Sequence, residues 1–122
     1  MTVVAVWIVI KNYHIAHIEV VKQNPNIQFV MIVFKKAIRE NVFIVNKPTF
    51  LDLESLLRKT KTLISCHGAL THVAASLNVK IIDVVEKSSD ELVKRYSIYI
   101  KNYYKVYRDN FKNLVQNLNN LI

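Results

Sequence analysis

Thr62-Leu-Ile-Ser-Cys-His-Gly-Ala-Leu-Thr-His-Val-Ala-Ala-Ser-Leu-Asn-Val-Lys-Ile-Ile-Asp83 is the stretch that decides the fold. Thr62 to Ser65 reads as a strand, Leu70 to Leu77 as a helix of small and apolar residues, and Lys80 to Val85 as a further strand ending at Glu86. The turn between the first two holds Gly68, the single glycine of the chain. Strand, tight turn, helix and strand in that order make a βαβ unit, which places the two strands parallel in one sheet.

The same alternation continues toward the N-terminus. Thr49 with Asp52 three residues on is a capping box, and Leu51, Leu53, Leu56 and Leu57 then form an apolar face running toward Lys59. Val42 to Val45 and Ile27 to Phe34 are apolar runs read as strands, with the charged segment from Lys35 to Asn41 between them. His14 to Gln23 carries Ile15, Ile18 and Val21 at helical spacing before Asn24-Pro25 ends it. Val3 to Ile10 is a continuous, β-branched run, the signature of a strand buried on both faces of a parallel sheet. Toward the C-terminus, Ser88 or Ser89 caps a helix with Glu91 in its first turn. At 100° per residue Leu92, Tyr96, Tyr99, Ile100, Tyr103 and Tyr107 share one stripe, continued by Phe111, Leu114, Leu118 and Leu121. Lys94, Lys101, Lys105, Arg108 and Lys112 lie opposite. The expectation is an α/β, Rossmann-like, doubly wound parallel sheet of about five strands in the order 3-2-1-4-5, followed by one long C-terminal helix or two nearly collinear ones.

Composition sets the bounds. The 122 residues are 52% hydrophobic and 21% charged with one glycine and two prolines, which describes one domain over residues 1–122 and excludes disordered and collagen-like chains. The apolar runs fall well short of the roughly 18 to 20 residues that cross a bilayer. Cys66 is the single cysteine, so no intrachain disulfide forms, and a cytoplasmic setting fits. Seventeen Lys and Arg against nine Asp and Glu leave a net charge of +8, which favours an anionic partner: a nucleotide, a nucleic acid or an acidic membrane surface.

In a doubly wound sheet, ligands bind beyond the carboxyl ends of the strands where neighbouring crossovers diverge, here between the strands at Val3 and Thr62. Lys11, Asn12, Tyr13 and His14 face that point from one strand, and Ser65, Cys66, His67, Gly68 and Ala69 from the other. The start of the following helix offers N–H groups and the positive end of a dipole to a phosphate. A tight strand-to-helix turn with no ligand explains one glycine equally.

From Thr62 to Asp83 the sequence resembles the nucleotide-sugar-binding half of glycosyltransferase family 9, the heptosyltransferase-like group of bacterial GT-B enzymes. His72-Val73-Ala74-Ala75 matches the second half of that group's Asp-Thr-Gly-x-x-His-x-Ala-Ala pattern, whereas His67-Gly68-Ala69 stands where the pattern has Asp-Thr-Gly. The likeness covers about residues 60–86. It implies binding of a nucleotide-diphosphate sugar as donor, with no cofactor or metal, and transfer to a cell-envelope or other glycan acceptor once a second domain completes the cleft. It further implies that Gly68 and Ala69 present backbone N–H groups to the diphosphate, that Leu70 belongs to the donor site, and that His72 faces sugar or phosphate. His67 is the implied catalytic residue, hydrogen-bonding the sugar or, when protonated, stabilising the leaving diphosphate. Lys11 and Asn12 from the first loop, with Ser65, complete the implied donor site. Since 122 residues hold one half of such an enzyme, the chain is expected to be inactive alone. An acceptor-binding domain or a second copy is the implied partner.

Other constellations carry less. Cys66 and His67 are adjacent, so on a strand they point to opposite faces and form no nucleophile-base pair. His14 and His17 sit three apart but lack further ligands for a metal. The tyrosine stripe and the lysines occupy opposite helix faces, which disfavours a nucleic-acid platform, where aromatic and basic groups act together. A helix lying on a membrane surface would need its tyrosines free of the core.

Overall fold

The computed structural model describes residues 3–7, 14–32, 42–45, 48–66, 68–108 and 111–122; of Trp7 and of residues 14–18, 31–32 and 43–44 only the backbone is described. The elements are β1 (Val3–Trp7), α1 (His14–Gln23), β2 (Gln28–Ile32), β3 (Val42–Val45), α2 (Phe50–Arg58), β4 (Thr62–Cys66), α3 (Ala69–Ser76), β5 (Lys80–Val85), α4 (Asp90–Ser97), β6 (Tyr103–Tyr107) and α5 (Phe111–Leu121). The strands form one sheet in the order β3-β2-β1-β4-β5-β6, every pair parallel. This is a Rossmann-like α/β sheet.

Period-two alternation divides the core between the two faces. Val4, Val6, Phe29, Ile64, Ile82, Val84 and Val106 point to one side, where Val20 and Val21 of α1 and Leu114, Val115 and Leu118 of α5 cover them. Ala5, Leu63 and Ile81 point to the other, under Leu57 of α2, Leu70 and Ala74 of α3, and Val79. Each fully buried side chain of this kind contributes roughly 1.5–3 kcal/mol.

The helix ends follow local chemistry. Thr49 Oγ1 accepts from the Asp52 N–H at 3.1 Å while Asp52 Oδ2 accepts from the Thr49 N–H at 3.0 Å, which completes the expected capping box. The Thr49 backbone N–H, and after it the Thr49 hydroxyl, hold the Asp52 carboxyl below the usual carboxylate range. At the end of α3, Asn78 takes φ 60°, the left-handed conformation that asparagine tolerates. The N–H groups of Asn78 and Val79 donate to the carbonyls of Ala75 and Ala74, both at 3.1 Å. This closes a Schellman motif and aims the chain into β5.

The expected long C-terminal helix is corrected. Helix α4 stops at Ser97, and Tyr103–Tyr107 is a sixth strand paired in parallel with β5, so the sheet has six strands and the chain returns through α5. Residues 103 and 107 lie four apart, a spacing that suits one helix stripe and one strand face alike, so the stripe did not discriminate. The hydrogen-bonding edge of β5 did, with the Ile81 N–H donating to the Asn102 carbonyl at 2.9 Å. Ser89 is the N-cap of α4 but makes no side-chain cap bond; a 3-10 turn, Lys87–Ser89, leads into it. The expected separation of tyrosines from lysines falls with the helix: Lys80 sits over the Tyr104 ring at 5.1 Å, and Lys105 and Lys87 over Tyr107 at 5.2 and 5.5 Å.

Candidate functional site

The crossovers from β1 and β4 leave in opposite directions, to β2 and to β5, so the switch point lies between β1 and β4. There Trp7 is in register with Ser65 at the carboxyl end of the sheet. The turn from β4 into α3 opens at that point.

Gly68 is the N-cap of α3, with φ −179° and ψ −167°. This is extended backbone that any residue adopts, and a Cβ at this position would meet only the Cys66 carbonyl oxygen, at 3.7 Å. Among the described residues, neither backbone angle nor packing demands a glycine here. The turn is held instead by Thr71, buried in the third position of the helix. Its Oγ1 accepts from the Gly68 N–H at 3.2 Å and lies 3.2 Å from the buried Ser65 Oγ, while its own N–H donates to the Gly68 carbonyl at 3.1 Å. Sequence reasoning passed over Thr71; the signal was a hydroxyl three residues after the cap, the reciprocal half of a capping box.

The other expected residues fall as follows. Ser65 is buried in its bond to Thr71 and so supports the turn from beneath. Ala69 is exposed at the first helical position. The Leu70 side chain belongs to the core, which leaves its backbone N–H as its contribution to a site. The N–H groups of Ala69 and Leu70 lie in the first helical turn, where a helix has no carbonyls of its own to offer them. His72 is exposed one turn into α3. Lys11, Asn12 and His67 lie outside the described residues.

Beside this turn, a cavity of about 300 Å³ opens at the carboxyl ends of β4, β5 and β6, walled by α4. Cys66, Glu86, Ser89, Leu92, Tyr96 and Arg108 line it over a floor of valines. Arg108 and Glu86 form an ion pair, the former side chain 19% exposed and the latter 52%. Partial burial pulls the Arg108 guanidinium below its ordinary pKa. The N-terminal end of α4 is fastened by an ion pair from Asp90 to Lys105, which holds the Asp90 carboxyl below the usual carboxylate range. Among the described residues no group of three or more His, Cys, Asp or Glu is placed to hold a metal, and no helix is long and apolar enough to cross a membrane.

No family model matches the sequence, and no curated protein sequence matches it. Solved structures do match the fold. The UDP-GlcNAc 2-epimerase of Neisseria meningitidis, solved with UDP-GlcNAc bound, superposes with a TM-score of 0.72 at 18% identity over 98% of this chain and 35% of that one. The glycosyltransferase SnogD of Streptomyces nogalater gives a TM-score of 0.58 at 14% identity over 97% of this chain and 35% of that one. A Rossmann-fold NAD(P)-binding family protein of Shigella flexneri gives 0.70 at 10% identity over 99% of this chain and 86% of that one. At such identities the likeness is one of fold. The chain has a Rossmann-like architecture, and it spans about a third of the length of the epimerase and of the glycosyltransferase.

Proposed function

We propose that the chain binds a nucleotide-diphosphate sugar at the turn between β4 and α3 and serves as the donor-binding half of a glycosyltransferase. Gly68 carries this reading: the one glycine of the chain caps α3 beside the switch point, and nothing among the described residues requires it there. A missing side chain at that place admits a ligand to the backbone. The resemblance of residues 62–83 to glycosyltransferase family 9 and the fold shared with the UDP-GlcNAc-bound epimerase support the same reading.

Within this reading the residues divide the work. The N–H groups of Ala69 and Leu70 and the positive end of the α3 dipole meet the diphosphate. His72, exposed on the same helix, reaches toward sugar or phosphate. His67, Lys11 and Asn12 take the roles that the family resemblance implies, His67 stabilising the departing diphosphate and Lys11 neutralising it. Ser65 acts through Thr71, keeping the turn in shape. Since His67-Gly68-Ala69 replaces the family's Asp-Thr-Gly, the transferred sugar is not assigned to heptose. Acceptor binding and closure belong to a second domain, so purified chain alone is expected to show no transfer.

Titration with UDP-, ADP-, GDP- and CMP-sugars, followed by amide NMR shifts, tests the proposal. Movement of the amides of residues 65–72 at millimolar donor supports it, and their indifference to every donor overturns it.

A second reading, a non-catalytic module that binds nucleic acid, gains from the interleaving of tyrosines and lysines around β6. It loses from the ion pairs that already occupy Lys105 and Arg108. Steeply salt-dependent binding to oligonucleotides through Lys101 and Lys112 would favour it.

A further inference from the structure

The cavity beside the turn has its own chemistry. Its cation and its anion are matched to each other, Arg108 donating to Glu86, so it offers no net charge to a phosphate. What it does offer is a carboxylate that only accepts and a guanidinium that only donates, side by side above an apolar floor. Two adjacent hydroxyls, each able to donate and accept, complement that pair. The apolar C–H face of the ring that bears them complements the valine floor and the Leu92 and Tyr96 wall. At about 300 Å³ the cavity sits at the small end of ligand pockets, sized for one ring with its substituents rather than for a whole nucleotide sugar. Cys66, two residues before Gly68, lines it, so the cavity adjoins the turn.

We infer that this cavity takes an uncharged sugar ring of the ligand, held by a vicinal diol between Glu86 and Arg108, with Ser89 at the rim. The inference rests on the nucleotide-diphosphate-sugar reading and extends it from the diphosphate to the group beside it. Two rings of such a ligand share the required chemistry, the ribose and the transferred sugar.

Amide shifts of the full chain separate the cases. Inorganic pyrophosphate is expected to move residues 68–72 alone. The nucleoside diphosphate that moves the turn, and its sugar conjugate, are then compared at residues 86, 89 and 108. Movement with the nucleoside diphosphate places the ribose in the cavity, and movement with the conjugate alone places the transferred sugar there; either supports the inference. Ligands that move the turn but leave residues 86, 89 and 108 still overturn it while the donor reading stands. Ligands that leave the turn still overturn the donor reading and this inference together. Glu86 is half exposed, so Glu86→Gln is expected to fold and to weaken the ring-bearing ligand roughly tenfold, with pyrophosphate unaffected. Tyr96→Ala, which trims an exposed wall, is expected to weaken the same ligand several-fold. Unchanged affinity in both variants overturns the inference.

Discussion

Tyr103 donates its phenolic hydrogen to Oδ2 of the fully buried Asp83 at 2.5 Å, tying the edge strand β6 to the carboxylate in the middle of β5. The bond fixes β6 against the sheet, and β6 in turn carries Lys105, which holds α4, and leads into Arg108 at the cavity. The position of the cavity wall therefore depends on a polar contact between two neighbouring strands.

Tyr103→Phe removes that donor and leaves a buried acceptor poorer by one partner, so urea denaturation should show a loss of about 1–3 kcal/mol. Burial first, and then the bond to Asp83, raise the Tyr103 pKa in the folded state. The stability so gained is present below the ordinary tyrosine value of about 10 and is lost as pH rises through the higher folded value. The variant should therefore lose part of the alkaline decline seen in the natural protein. Equal stability at neutral pH would show that the bond contributes nothing.

Asp90→Asn tests the fastening of α4. The bond from Lys105, the largest influence on Asp90, lowers its pKa in the folded state. Its contribution is thus present above the unfolded carboxylate value near 3.9 and is lost as pH falls through the lower folded value. Thermal unfolding between pH 2 and 6 should show a shallower acid decline in the variant. Val93 is the buried residue of α4, so the fluorescence of Tyr96 on the same helix should also report a looser packing.

Thr71→Val keeps volume and branching but removes the hydroxyl that serves both the Gly68 N–H and the Ser65 hydroxyl. A stability loss of roughly 1–3 kcal/mol is expected, together with weaker donor binding because the turn loses its brace. Full stability in the variant would remove Thr71 from the account of the site.

Gly68→Ala separates fold from function. With φ −179° and only the Cys66 carbonyl 3.7 Å from the new methyl, folding stability should stay level or rise by about 0.4–1 kcal/mol, through a less free unfolded chain. Donor affinity should fall nonetheless, since the methyl occupies the place of approach. Loss of stability with retained affinity would mean that the glycine serves the turn alone.

The runs that become β1 to β5, the helix at Thr49 and the turn at Gly68 were legible because their signals are local. β-branched residues crowd into short runs, a capping box satisfies its own N–H groups, and alternating strands and helices allow few topologies. The place of the candidate site was legible to the same depth, because the turn at the end of β4 follows from the strand order. Tertiary structure decided what local pattern leaves ambiguous. Tyr103 and Tyr107 satisfy helix and strand periodicity together, and the free edge of β5 chose the strand by supplying a ladder of hydrogen bonds that an isolated segment lacks. Ser65, expected to face the ligand, turned inward because Thr71, six residues on, arrives beneath the turn to receive it. The Glu86–Arg108 pair and the cavity around it were illegible for the same reason. Their residues stand 22 apart in the chain and meet through the parallel pairing of β5 with β6.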